Sequence, residues 1–234
     1  MKEKRILDLL YPPRCPVCDG VLLQGEEVCA ECRPKLHYVS GPRCYRCGKT
    51  LQEEETEICH DCKNRAHIYN SGLSLYEYES IKDSLYRFKY QGRCEYAGFY
   101  GKEIAGHLGS RILAWHPDAI IPVPLHKKKE RMRGYNQAEL LAEAVGHCLS
   151  VPVRGELVRR QRNTVPMKEL EPERRQINLK KAFNMTHFDV KLNCIIIMDD
   201  IYTTGSTINE MTRVLKAAGV KYVHFITLAV GNGL

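Results

Sequence analysis

No apolar run in the 234 residues approaches the roughly 20 that a membrane-spanning helix requires. The N-terminal stretch MKEKRILDLLYPPRC is short and interrupted by Asp8, so it does not read as a secretory core, and the expected location is the cytoplasm, without membrane insertion. Low-complexity bias is missing as well. Hydrophobic residues make up 44% and charged residues 27%, which excludes a disordered, collagen-like or coiled-coil chain. Charge imbalance is absent from most of the length. The net charge of +7 resides in residues 126–183, with 14 basic against 7 acidic side chains, while the remainder balances. A concentrated basic segment suits an anionic partner such as pyrophosphate or a single-stranded DNA backbone.

What the chain has in excess is cysteine. Eight of its eleven fall before residue 63 in four CxxC pairs: Cys15/Cys18, Cys29/Cys32, Cys44/Cys47 and Cys59/Cys62. Arg14-Cys15-Pro16-Val17-Cys18 is echoed by Arg43-Cys44-Tyr45-Arg46-Cys47, and Cys29-Ala30-Glu31-Cys32 by Cys59-His60-Asp61-Cys62, which reads as one small unit used twice. Zn²⁺ takes four thiolates in a tetrahedron, and each CxxC turn supplies two. A unit of some 30 residues buries too little apolar surface to fold alone, so the metal is part of its stability. The simplest ligand sets are Cys15, Cys18, Cys29 and Cys32, then Cys44, Cys47, Cys59 and Cys62. Interleaved sets and a single surviving zinc site stay open. Disulfides fit poorly with a reducing compartment. His60 lies inside a complete cysteine set and reads as a bystander. Each loaded site carries about −2, so the ribbon is expected to dock protein, or the second half of its own chain, at least as readily as nucleic acid. Cys94, Cys148 and Cys194 lack partner spacing and are expected in the core.

From about residue 69 strands and helices alternate. Expected strands cover 73–78, 119–125, 193–198 and 220–229; expected helices cover 81–92, 96–114, 136–149 and 206–218, with an irregular charged stretch over 150–190. This pattern gives an α/β fold with a mostly parallel sheet flanked by helices. The expected domains are 1–68, a double zinc ribbon, and 69–234.

One segment concentrates the chemistry. Cys194-Ile195-Ile196-Ile197-Met198 has the continuous apolar character of a central parallel strand. Asp199 and Asp200 follow at its C-terminal end, where open α/β sheets bind ligands. Then come Thr203, Thr204, Gly205, Ser206 and Thr207 at the start of a helix: hydroxyls, backbone N–H groups and a favourable helix dipole for an anion. Thr207 and Glu210 have capping-box spacing. Without the Gly-Lys-Ser/Thr of a Walker loop, an ordinary ATPase is excluded; two carboxylates beside a phosphate cradle suit a sugar phosphate.

Residues 195–207 resemble the phosphoribosyl pyrophosphate (PRPP) motif of type I phosphoribosyltransferases. Together with the four CxxC pairs, Leu9-Leu10-Tyr11-Pro12-Pro13, Pro122-Val123-Pro124, Arg133-Gly134-Tyr135-Asn136-Gln137-Ala138 and Arg175-Gln176-Ile177-Asn178, the chain resembles the ComF family of competence proteins; it departs at Met167, where relatives often carry Gln. The resemblance implies a type I phosphoribosyltransferase-like domain in which Asp199 and Asp200 take the ribose hydroxyls. It places the 5-phosphate on residues 203–207 and the pyrophosphate by Val123, Pro124 and Leu125. Mg²⁺ would arrive with PRPP. A role in natural transformation is implied, through imported single-stranded DNA and a competence helicase. Among the basic residues after Leu125, Arg133 is the favoured pyrophosphate ligand; Lys89 is a weaker candidate, and His126 a candidate base without a visible partner. An enzyme of unknown acceptor and a non-catalytic PRPP- or nucleotide-binding adaptor both fit.

Overall fold

A computed structural model describes residues 12–51, 57–161, 182–186 and 191–231. Leu9, Leu10, Tyr11, Met167 and the segment Arg175-Gln176-Ile177-Asn178 lie outside the described residues.

The sequence repeat is also a backbone repeat. In the first unit Cys15 N–H donates to Gly20 O (2.8 Å), Asp19 N–H to Cys15 O (2.9 Å) and Leu22 N–H to Pro13 O (2.9 Å). In the second, Cys44 N–H donates to Lys49 O (2.8 Å), Gly48 N–H to Cys44 O (2.9 Å) and Leu51 N–H to Pro42 O (2.8 Å). Asp19 and Gly48 occupy the same left-handed position, at φ 64° and 75°. Each unit closes on a short helical turn, Arg33–Lys35 in the first and α1 (His60–Asn64) in the second.

Beyond the ribbons the chain forms β1 (Ser71–Glu77), α2 (Tyr78–Tyr90), α3 (Tyr96–Leu113), β2 (Ala119–Pro122), α4 (Lys127–Arg133) and α5 (Gln137–Leu149). It continues through β3 (Val158–Arg160), β4 (Phe183–Met185), β5 (Cys194–Tyr202), α6 (Ser206–Ala217) and β6 (Tyr222–Val230). The main sheet runs β1-β6-β5-β2, every neighbour parallel. Side chains alternate between its faces. Ile196 and Met198 pack with Leu85 and Phe88 of α2, Tyr100 and Ile104 of α3 and Leu141 of α5. Ile195 and Ile197 pack with Met211 and Leu215 of α6 and Phe183 of β4.

Each ribbon belongs to one of these faces. Cys15, Leu22, Val28, Cys32 and Leu36 join the core of α2 and α3, whereas Cys44, Cys47, Leu51 and Cys62 join that of α6. Between the ribbons Tyr38 pairs with Tyr76 on the edge strand β1, flanked by Val39 N–H to Leu75 O (2.9 Å) and Glu77 N–H to His37 O (2.9 Å). That pairing covers an edge otherwise open to another chain.

Four local expectations are corrected. β5 extends through Tyr202, so Asp199 and Asp200 stand on the strand rather than after it. The stretch over 150–190, expected to be irregular, contains the antiparallel pair β3–β4. The capping box does not form: Gly205 caps α6 without a side-chain bond, and Glu210 instead pairs with Arg213 (2.8 Å). Cys194 is buried, but Cys94 and Cys148 are exposed rather than in the core.

Candidate functional site

The apolar run of β5 is held from both sides by β2 and β6, and this fixes the two carboxylates at the sheet's C-terminal edge. Because neighbours on a strand face opposite ways, Asp200 falls on the α2 face and Asp199 on the β3–β4 face. Asp200 Oδ1 accepts from Lys89 Nζ at 2.8 Å, both side chains 16% exposed. Asp199 Oδ1 accepts from the Asp200 N–H at 2.8 Å. Burial, then the charge of Asp200, pushes the Asp199 carboxyl up to about 7, with Lys89 and Arg160 pulling the other way. A carboxyl poised near neutrality at a sheet edge is a recurrent mark of ligand chemistry.

The loop that follows is tied at its base. Gly231 N–H donates to Tyr202 O (2.9 Å), and Asn209 N–H to Gly205 O (2.8 Å). Thr203 is exposed, Thr204 is buried with its hydroxyl 2.9 Å from that of Ser206, and Ser206 and Thr207 are half-buried in the first turn of α6. Gly205 sits at φ +74°, and a Cβ there would lie 2.8 Å from the Tyr202 hydroxyl, so both conformation and space demand glycine.

Beside β5, β2 ends at Pro122, short of the expected 119–125, and residues 123–125 follow it. Val123 is buried; its N–H donates to Met198 O (2.9 Å) and its C=O accepts from Asn136 Nδ2 (3.1 Å). Pro124 and Leu125 are half-exposed. Arg133 donates to Gln137 Oε1 (2.8 Å) and the Tyr90 hydroxyl (3.2 Å), and its guanidinium lies 4.8 Å from the Tyr90 ring centroid. It is therefore anchored to α2, the helix that carries Lys89. His126 has a structural duty: its Nδ1 accepts from Lys128 N–H at 3.2 Å and caps α4. Sequence reasoning missed Arg160, whose guanidinium lies over Phe183 (5.3 Å) and whose charge acts on Asp199. Its signal was only one arginine among several in a charged stretch.

The cysteines form two sets, in sequential pairing: Cys15, Cys18, Cys29 and Cys32, and Cys44, Cys47, Cys59 and Cys62, the Sγ atoms of each set within 4.8 Å of one another. Tetrahedral zinc at ~2.3 Å from sulfur spaces its ligands by about 3.8 Å. Cys18–Cys29 at 3.8 Å, Cys15–Cys29 at 3.6 Å and Cys47–Cys59 at 3.6 Å fit that edge and are far too long for disulfides. Backbone N–H groups already point at sulfur, Gly20 to Cys18 (3.4 Å) and Cys59 to Cys44 (3.3 Å). His60 stands outside the cluster, 2.9 Å from Asn64 Nδ2.

Comparison with known proteins matches residues 6–63 to the double zinc ribbon domain and residues 138–233 to the phosphoribosyl transferase domain. Competence protein F of Haemophilus influenzae is 30% identical over 227 residues, covering 92% of this chain and 96% of the relative. The chain belongs to the ComF/ComFC family. Competence protein ComFC of Bacillus subtilis is 32% identical, over 85% of this chain and 82% of that protein. The DNA utilization protein YhgH of Escherichia coli O157:H7 is 36% identical, over 92% and 96% respectively. The fold is the type I phosphoribosyltransferase-like parallel sheet with a cysteine-rich ribbon before it, and two Cys₄ sites suit the ribbon's zinc. No helix among the described residues is long and apolar enough to cross a membrane.

Proposed function

We propose that this ComF-family chain binds PRPP with Mg²⁺ at the edge formed by β5, the loop after it and residues 123–125, and serves the handling of imported single-stranded DNA. One observation carries the reading: an acidic pair and a glycine-capped, hydroxyl-lined helix start are contiguous on the central strand, with Lys89 within 2.8 Å of one acid. The N–H groups and hydroxyls of residues 203–207 take the 5-phosphate. Asp200 accepts from a ribose hydroxyl, and Lys89, released from it, turns to the ligand's phosphates. Asp199 accepts from the neighbouring hydroxyl and supplies the negative charge that favours positive character at the sugar's C1. Residues 123–125 offer backbone groups to the pyrophosphate, with Arg133 close by on α4. Mg²⁺ bound with PRPP would neutralise pyrophosphate oxygens.

A second reading, a DNA-contacting adaptor without turnover, is favoured by one surface. Tyr86 and Tyr90 are about half exposed, Arg133 of α4 lies over the Tyr90 ring, and α4 also exposes Met132, Lys127, Lys128 and Arg131. Aromatic rings among cations suit single-stranded nucleic acid.

One experiment addresses both readings. In Asp199→Ala/Asp200→Ala, calorimetric affinity for PRPP with Mg²⁺ is expected to fall at least a hundredfold at an unchanged two zinc ions per chain. Ordinary affinity in the double variant would refute the site. Pyrophosphate release by the wild type, measured against a panel of bases and oligonucleotides and abolished in the variant, decides for the enzyme; binding without release decides for the adaptor.

A further inference from the structure

The connector between the second ribbon and the sheet does more than join them. Ile68 N–H donates to Asn209 Oδ1 at 3.0 Å, which fixes the orientation of that amide. Asn209 Nδ2 is then the donor, to Ala66 O (3.3 Å) and to His67 Nδ1 (3.1 Å). His67 is buried, and burial, then the charge of Arg46, holds it below the usual imidazole range. As a neutral ring accepting at Nδ1, it carries its proton on Nε2. Its ring is also the floor of the anion loop: a Cβ on Gly205 would lie 3.1 Å from His67 Cε1.

On the other side His67 is fastened to the metal site. Arg46, inside the Cys44–Cys47 turn, donates from Nη1 to the His67 carbonyl at 2.7 Å. Lys49, just past that turn, reaches Asp61 (2.6 Å) between Cys59 and Cys62, and its ammonium lies 6.0 Å from the Tyr202 ring centroid. The hydroxyls of Tyr69 and Tyr202 are 2.7 Å apart. Loop and first turn of α6 thus meet the second ribbon at Tyr202, Gly205 and Asn209. Among the described residues, the first ribbon's polar contacts are with α2, α3 and Arg93 between them.

We propose that residues 66–69 form a strut through which the second Cys₄ cluster, and not the first, sets the anion loop in its binding geometry, with His67 as the positioning residue. The inference rests on the reading that this loop takes the phosphate of PRPP. A metal bound by Cys44, Cys47, Cys59 and Cys62 fixes Arg46, Arg46 fixes His67, and His67 with Asn209 fixes Gly205. Without that chain of contacts the loop's N–H groups no longer converge, and phosphate affinity falls although no ligand-contacting residue has changed.

The test uses the full chain purified without chelator and three readouts: zinc per chain, hydrogen exchange of peptides spanning 202–209, and calorimetric PRPP affinity with Mg²⁺. His67→Ala is expected to keep two zinc ions while loop exchange quickens and affinity weakens by about tenfold each, the scale of one well-made hydrogen bond. His67→Asn, whose Oδ1 can accept from Asn209, is expected to restore most of both; a merely space-filling histidine would give no such recovery. Cys59→Ser is expected to hold one zinc and loosen the loop at least as much as His67→Ala, whereas Cys29→Ser holds one zinc with loop exchange within twofold of wild type. Equal loosening by the two cysteine variants, or a wild-type loop in His67→Ala, overturns the proposal. If Cys59→Ser does not fold, the two His67 variants decide, since both keep every cysteine. A wild type that binds no PRPP overturns the ligand reading alone, and the exchange pattern still decides the strut.

Discussion

The two ribbons share a sequence pattern, a backbone hydrogen-bond scheme and a four-thiol cluster, yet they dock by different chemistry. The first is clamped by polar groups. Asp19 accepts from Tyr96 Oη (2.5 Å) and Arg93 Nη2 (2.7 Å), Ser84 and Arg87 of α2 donate to the Pro16 and Val17 carbonyls, and Arg33 pairs with Glu103 (3.3 Å). The second is seated largely in apolar and aromatic surface: Cys47 is fully buried, and Tyr69 meets Phe225 edge-on at 5.0 Å. A metal unit of this size brings its own local fold, so its outer surface is free to specialise. Here one copy buttresses the helix that carries Lys89, and the other buttresses the loop after β5. The ligand edge is thus backed from both faces of the sheet.

The largest expected difference between the ribbons follows from cysteine burial. Cys47→Ser removes a metal ligand and leaves a polar group and three unpaired thiolates inside the core of α6. A cost of several kcal/mol is expected, lowering the thermal midpoint by roughly 10 °C or more. Cys18→Ser removes a ligand just as surely, but at an exposed position, and is expected to move the midpoint of the sheet by a few degrees at most. Differential scanning calorimetry of the two variants side by side would break the distinction if the midpoints fell together.

A smaller effect is expected on the polar clamp. In Asp19→Asn the side chain keeps its shape, and asparagine tolerates the φ of +64°. What is lost is the charge that orients Arg93 and one of two acceptors, since the amide oxygen can accept from Tyr96 or from Arg93 but not from both. Since Asp19 is partly solvated, roughly 1–2 kcal/mol is expected. The loss should appear in denaturant unfolding at neutral pH and leave hydrogen exchange of the loop after β5 unmoved. Exchange that quickens in that loop would show that both ribbons act on it.

These differences mark how far the sequence could be read. The four CxxC pairs and the apolar strand that carries Asp199 and Asp200 were legible because their signals are local: fixed CxxC spacing, a continuous apolar run, a glycine at a helix start; which pairs share a metal was not, because spacing alone left interleaved sets open. The face each ribbon covers was not, since it depends on how side chains alternate across a sheet whose strand order is not written in any one segment. Lys89 shows the same limit. On the chain it is a lysine near the end of a helix, and only the return of α2 over β5 brings it to Asp200. His67 and Arg160 carry no spacing signal at all. The capping-box motif at Thr207 and Glu210 misled because Gly205, two residues earlier than the box's N-cap position, already starts the helix in a left-handed turn.

The smallest expected effect separates the two faces of the sheet through pH. Asp200 faces the first ribbon's side and has Lys89; Asp199 faces the second ribbon's side and is pushed up to about 7 by burial and by Asp200. A carboxyl raised in the folded state above its unfolded value of about 3.9 binds an extra proton between those values. Its contribution to stability is therefore greatest at the acid end of that window and declines as pH rises through it. Asp199→Asn removes the titration. The variant's advantage over wild type is expected to grow by on the order of 1 kcal/mol from pH 6, where both cysteine clusters should still hold metal, to pH 8. Thermal midpoints at the two pH values check this. An advantage of equal size at both would mean that Asp199 is ionised throughout, and the difference between the faces would then lie in hydrogen bonding rather than in charge.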